Sequence, residues 1–183
     1  NIYDSLFMEG EKKTPVETSL FFSEDLSAGE LREVLAAYPL KDYRNRVVLA
    51  IGQMAGSDGS FGCETWRGLV ALSEKQPEVY FYRFEYEGFR FSGAIGVAHA
   101  MEMPYVFDSL DRAPINLLYS GRQEKAGRGL VRTMQGYWLN FARTGDPNGP
   151  GLPAWPRFTA AAPQVQVLDA ETKPRPETSL GER

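Results

Sequence analysis

The chain has 183 residues, 43% hydrophobic and 24% charged, with Asp+Glu 24 against Lys+Arg 20 for a formal net charge of -4. This composition excludes global disorder and supplies the apolar mass for one domain, or two small ones, while the acidic balance argues against nucleic acid as a partner. One Cys and one His exclude a disulfide framework within the chain and argue against a Cys/His zinc site, and no apolar run approaches the roughly 20 residues of a membrane span.

Residues 1–8 are half apolar, and no charged stretch followed by an apolar one marks a signal peptide. Residues 9–18 read as loop. Ser27 with Glu30 fits a capping box, opening a helix with Leu31, Val34 and Leu35 on one side that should stop before Pro39. Lys41 to Ala55 is a second helical stretch, with Tyr43, Val47, Val48 and Ile51 at helical spacing. GSDGSFG (56–62) reads as a turn. A third helix is expected over Cys63 to Lys75, with Trp66, Leu69, Val70 and Leu72 apolar.

The period then changes. Val79 to Tyr86 is aromatic and β-branched between Pro77 and Gly88, and reads as a buried strand. Residues 88–99 form a glycine-containing loop ending at His99. Gln123 to Arg143 is the longest expected helix, carrying Leu130, Val131, Met134, Tyr137, Trp138 and Phe141. An irregular Gly/Pro segment covers 144–156, a short strand covers Val165 to Leu168, and the polar tail with its prolines should fray. Two strands do not make an independent sheet. Either partners lie in the loops, or these strands complete a sheet supplied by another chain; the second reading is favoured.

A lone histidine is more often structural than catalytic. The setting of His99 counts the other way: it follows a Gly-containing loop and precedes Met101, Met103, Tyr105, Val106 and Phe107. A base needs such a place, mobile enough to reach a nucleophile and dry enough to keep its hydrogen bonds strong. Met101, Met103, Tyr105 and Phe107 suit either an acyl or alcohol pocket or the core.

In this segment the chain resembles the type-B carboxylesterase/lipase family, which includes cholinesterases and bile-salt lipases. Gly96, Val97, His99, Glu102, Val106 and Phe107 match the context of that family's catalytic histidine. The run Trp138-Leu-Asn-Phe-Ala-Arg-Thr-Gly-Asp-Pro-Asn148, then Trp155-Pro156, is similar to its C-terminal hallmark, and Tyr38-Pro39 and Asp58-x-x-Phe61-x-Cys63 also fit. The resemblance covers the last third or so of a family member. It implies an α/β fold, with helices plus the last strands of a mainly parallel sheet completed by an N-terminal portion. Residues 1–183 would then be the C-terminal segment of one incomplete catalytic domain.

The same resemblance assigns chemistry. Asp4, on its own an exposed terminal carboxylate, falls on the family's triad-acid pattern, with Ser5 in place of the usual Gly and Asp where many members carry Glu. Asp4 before His99 is the α/β-hydrolase chain order, in which the nucleophilic serine comes first. No serine here stands in G-x-S-x-G: Ser57 follows Gly56 and Ala55, and Ser60 and Ser92 have Asp58 and Arg90 two residues before them. The Gly-rich oxyanion segment is missing too. The chain would therefore supply catalytic His99 and Asp4 to a carboxylic ester hydrolase, while an N-terminal portion carries the serine and oxyanion hole. Small ester substrates are implied, with no metal or organic cofactor. The rival reading is a non-catalytic adhesion or interaction relative. Glu102 reads as structural, pinning its loop or neutralising an Arg. Cys63 matches a position often disulfide-bonded in the family; with no second Cys it is a buried free thiol or pairs outside the chain. Compartment is open, although secretion or periplasmic export is common in the family.

Overall fold

The computed structural model describes residues 61–177 together with positions 29, 33, 36–43, 50, 53 and 58; they fall into two units divided between Thr65 and Trp66. In the first unit, helical Ala36 and Ala37 are followed by a chain break in helicity at Tyr38, before Pro39, as the clash between proline and a helical predecessor requires. Leu40–Tyr43 is a 3-10 turn. Asp58 is 3% exposed, yet both carboxylate oxygens accept hydrogen bonds, from the Tyr38 hydroxyl at 2.8 Å and Gln53 Nε2 at 2.7 Å. This corrects the turn expected over 56–62: Asp58, Phe61 and Gly62 take wide helical turns leading into helix α1 (Cys63–Ser73). Burying a satisfied carboxylate outweighs the turn preference of the glycines around it. The expected capping box at Ser27 and Glu30 and the apolar positions 31, 34, 35, 47, 48 and 51 lie outside the described residues.

The second unit is organised on one mixed sheet. β1 (Tyr82–Phe84), β2 (Gln164–Leu168) and β3 (Lys173–Pro176) lie in that order. β1 runs parallel to β2 with Arg83 opposite Val167, and β3 runs antiparallel to β2 with Arg175 opposite Val165. A parallel pair needs a long crossover, and here it contains the longest of the described helices. β3 overturns the frayed tail: its prolines lack N–H groups, but Pro174 and Pro176 stand opposite Gln166 and Gln164, where an edge strand needs no inward donor. The next donor, Glu177 N–H, reaches the Pro163 carbonyl at 3.0 Å. β1 is also less buried than its composition suggests. Tyr82 and Phe84 are half-buried and Arg83 is exposed, because among the described strands β1 has a neighbour on one side only.

Helix α4 spans Gly121–Thr144. It starts two residues before the expected start at Gln123 because Ser120 and Gln123 form a capping box: the Gln123 amide donates to the Ser120 hydroxyl at 3.3 Å and the Ser120 amide to Gln123 Oε1 at 3.0 Å. It ends at Gly145, whose φ of 78° is open to glycine at little cost. Gly127, Leu130, Val131, Met134 and Tyr137 repeat at helical spacing and are buried. With Tyr105, Leu110, Trp155 and Leu168 they build the core.

The segment after α4 is irregular but closely tied. The Asp146 carboxylate accepts from the Asn148 amide at 2.8 Å and from its side chain at 2.7 Å, which holds the Asp146 carboxyl below its ordinary range. Asn148 in turn exchanges two hydrogen bonds with the Trp155 backbone, at 2.7 and 2.9 Å. Trp155 Nε1 donates to the Phe81 carbonyl at 3.1 Å. The Asp-Pro-Asn…Trp motif thus fastens the end of α4 to the strand that leads into the His99 segment.

Candidate active site

His99 stands in a turn between two short helices, α2 (Ser92–Ile95) and α3 (Met103–Val106). The turn is closed by the Met101 amide donating to the Ala98 carbonyl at 3.3 Å and the Met103 amide to the Ala100 carbonyl at 3.2 Å. Val97 and Met101 pack against the core on either side, while His99 is exposed. The loop expected over 88–99 therefore contains one helical turn. The backbone around it is unusual. Phe91, Ala100 and Asp108 have φ of 68°, 65° and 47°, a left-handed region that costs side-chain-bearing residues roughly 1–2 kcal/mol each. Such strain gathers where function constrains the chain.

Asp4, the expected acid, lies outside the described residues. Glu102 caps α3 through its main chain, its carbonyl accepting from the Tyr105 and Val106 amides at 3.0 and 3.1 Å, with no capping bond from its side chain. Its charge lies close enough to Tyr82 to add to burial in raising that phenol's pKa. The four apolar residues after His99 divide. Tyr105 is 1% exposed and Met101 packs on the core, whereas Met103 and Phe107 are 46% and 64% exposed. Cys63 is a free, half-buried thiol.

The residue pattern does not show how α4 holds this segment. Gly127 allows close approach: a Cβ there would meet Tyr105 Cε1 at 3.1 Å and Leu110 Cδ1 at 3.3 Å. Arg128 pairs with Asp108, with Glu124 at 2.7 Å and with Asp111 at 3.4 Å. Gln135 Nε2 donates to the Val106 carbonyl at 3.2 Å. Only the i, i+4 spacing of Glu124 and Arg128 hinted at this in the sequence.

A second feature is an apolar cavity of about 320 Å³ bounded by Tyr80, Tyr82, Trp138, Phe141, Pro147 and Trp155 among others. Its walls come from the β1 region, α4 and the segment after it, with no residue of 89–108 among them. Deeper in the core, Gln166 Nε2 donates to the Tyr137 hydroxyl at 3.0 Å, which donates onward to the Pro153 carbonyl at 2.7 Å. Burial pushes the Tyr137 phenol up to about 12, and burial likewise raises Tyr105 and Tyr119. Among the described residues no helix is long and apolar enough to cross a membrane.

Comparison with known proteins places this architecture. Residues 10–182 match the model of the carboxylesterase family. The chain is 35% identical over 174 residues to the acetylcholinesterase of Bungarus fasciatus, covering 90% of this chain and 26% of that protein. It is 34% identical over 90 residues to the phenmedipham hydrolase of Pseudarthrobacter oxydans, covering 49% of this chain and 18% of that protein. The crystal structure of a carboxylesterase from Geobacillus stearothermophilus superposes with a TM-score of 0.55 at 25% identity, over 85% of this chain and 32% of that one. The chain thus spans the smaller part of the length of each of these relatives. The family match takes in both the His99 segment and the Asp-Pro-Asn…Trp motif, and the fold neighbour shares the arrangement of helices on a strand set: this chain, with its part of an α/β-hydrolase fold, belongs to the carboxylesterase family.

Proposed function

We propose that residues 1–183 are the C-terminal segment of a carboxylesterase catalytic domain and supply its base and acid. The observation that carries this is the turn at His99: an exposed imidazole between two core-packed neighbours, on strained backbone, in a sequence context similar to the family's catalytic histidine. His99 takes the proton of a serine on the N-terminal portion as it attacks the ester carbonyl, then delivers it to the departing alcohol. Asp4 accepts the second imidazole N–H and stabilises the imidazolium. Backbone amides of the N-terminal portion hold the oxyanion, and water repeats the sequence on the acyl-enzyme.

The sheet supports a second portion. β3 closes its own edge with Pro174 and Pro176, which leave no donors there, while β1 has a neighbour on one side only among the described strands. Growth of the sheet therefore belongs at β1.

The test uses the intact esterase, a fluorescent fluorophosphonate and a chromogenic ester. Label is expected on a serine outside residues 1–183, and His99→Ala is expected to lower hydrolysis by about a thousandfold or more with the fold retained. Label on a serine of this chain, or a loss below about tenfold, overturns the reading. No label on a folded intact protein favours the non-catalytic relatives.

A further inference from the structure

Helix α3 has four residues, far fewer than a helix needs to hold itself in water. Its place, and that of the His99 turn hydrogen-bonded to its first residue, must come from what it rests on. Pro104 and Tyr105 are its buried residues, and Tyr105 meets α4 at Gly127. That contact is apolar and leaves sliding along the helix open. Two polar contacts remove that freedom. Gln135 Nε2 donates to the Val106 carbonyl at 3.2 Å, satisfying an acceptor that the last turn of so short a helix leaves without an intrahelical partner. Two turns earlier on α4, Arg128 reaches Asp108 with one terminal nitrogen and Glu124 and Asp111 with the other. Asp108 is the strained residue immediately after Phe107, with φ 47°. The guanidinium thus holds the left-handed corner that ends the segment, and the carboxamide holds the helix before it.

We infer that Arg128 and Gln135 are positioning residues for His99: together they fix the register of α3 on α4 and so the height of the imidazole over the reacting serine. Neither touches substrate. The inference rests on His99 being the base, as proposed above. Its physical content is that a displacement of about 1 Å at a general base costs far more in turnover than in binding. A lysine at 128 keeps the charge but cannot span three carboxylates with one planar fork.

The experiment measures kcat and KM of the intact esterase on one chromogenic ester for Arg128→Ala, Arg128→Lys, Gln135→Leu and, as a control, Arg157→Ala. Arg157 makes a comparable surface pair with Glu78 at 2.6 Å on a different segment. Arg128→Ala and Gln135→Leu are expected to lower kcat about tenfold with KM changed less than twofold, Arg128→Lys to recover part of the loss, and Arg157→Ala to leave both unchanged. Equal losses in Arg128→Ala and Arg157→Ala, or a change confined to KM, overturn the inference. So does full activity in both Arg128→Ala and Gln135→Leu. Should Arg128→Ala lose its fold, judged by circular dichroism, Gln135→Leu and Arg128→Lys carry the test. His99→Ala measured alongside separates the two failures: if it retains activity the base assignment falls, and if it alone is inactive only the positioning role falls.

Discussion

Between residues 89 and 108 three side-chain-bearing residues, Phe91, Ala100 and Asp108, adopt left-handed backbone; between 120 and 168 only Gly145 and Gly151 do so. The first region has helices of four residues and exposes Phe91, Met103 and Phe107. The second has the long capped helix, the Asp146–Asn148–Trp155 ties and the buried Gln166–Tyr137 pair. In the second region, residue preference, capping and packing agree, which is the mark of a scaffold. In the first they conflict, and the conflict is sustained by contacts from the second. Strain near His99 is held by consistency elsewhere.

The comparison breaks most visibly at Trp155, which ties the second region to Phe81, in the stretch that leads into the first. Trp155→Ala should cost about 3–5 kcal/mol in denaturant unfolding of the intact protein. Asn148→Ala, which leaves the Trp155 main chain without its two partners, should cost about 1–3 kcal/mol. Near-neutral values at both sites would show that the segment after α4 is not a tie.

The buried tyrosines give a pH test of the same scaffold. The Tyr137 phenol stands at about 12 in the folded state against an ordinary 10.0. The neutral form therefore contributes stability that is fully present below about pH 10 and lost as pH rises through 12. The loss approaches about 2–3 kcal/mol for this group. Tyr137→Phe should flatten that alkaline limb, seen as a shallower fall in unfolding midpoint above pH 10. An unchanged slope would mean that Tyr137 does not titrate with unfolding.

The smallest effects sharpen the contrast between regions. Gly145→Ala meets no steric obstacle within 4 Å but sits at φ 78°, so it should destabilise by about 1 kcal/mol. Ala100→Gly relieves the opposite mismatch and should stabilise by about 0.5–1 kcal/mol while lowering ester turnover severalfold, because the turn under His99 loosens. Destabilisation by Ala100→Gly would remove the argument from strain.

Much of the scaffold was legible. The apolar spacing of Leu130, Val131, Met134 and Tyr137 marks α4, and the stop before Pro39 follows from the clash of proline with a helical predecessor. The motif from Trp138 to Trp155 carries the family likeness in residue types alone. The errors share one cause. A polar terminus with two prolines suggests fraying, but at an edge opposite Gln164 and Gln166 those prolines have no bond to lose. The glycines of 56–62 suggest a turn because the Tyr38 hydroxyl that satisfies buried Asp58 lies 20 residues away in sequence. The Val79–Tyr86 run is buried at its two ends but only half-buried along β1, because composition reports apolarity, not how many neighbours a strand has.

The sequence by itself determined the periodic elements and the family likeness, because these depend on local pattern and residue type, and through that likeness it singled out His99 as the base we propose. Only the tertiary structure decided that β3 joins the sheet, that Gly127, Arg128 and Gln135 carry the His99 segment, and that Asn148 acts through the Trp155 backbone. Each of those depends on a contact between residues whose separation along the chain leaves no periodic trace. Their energies come from matching one donor to one acceptor in space, which composition and spacing do not encode.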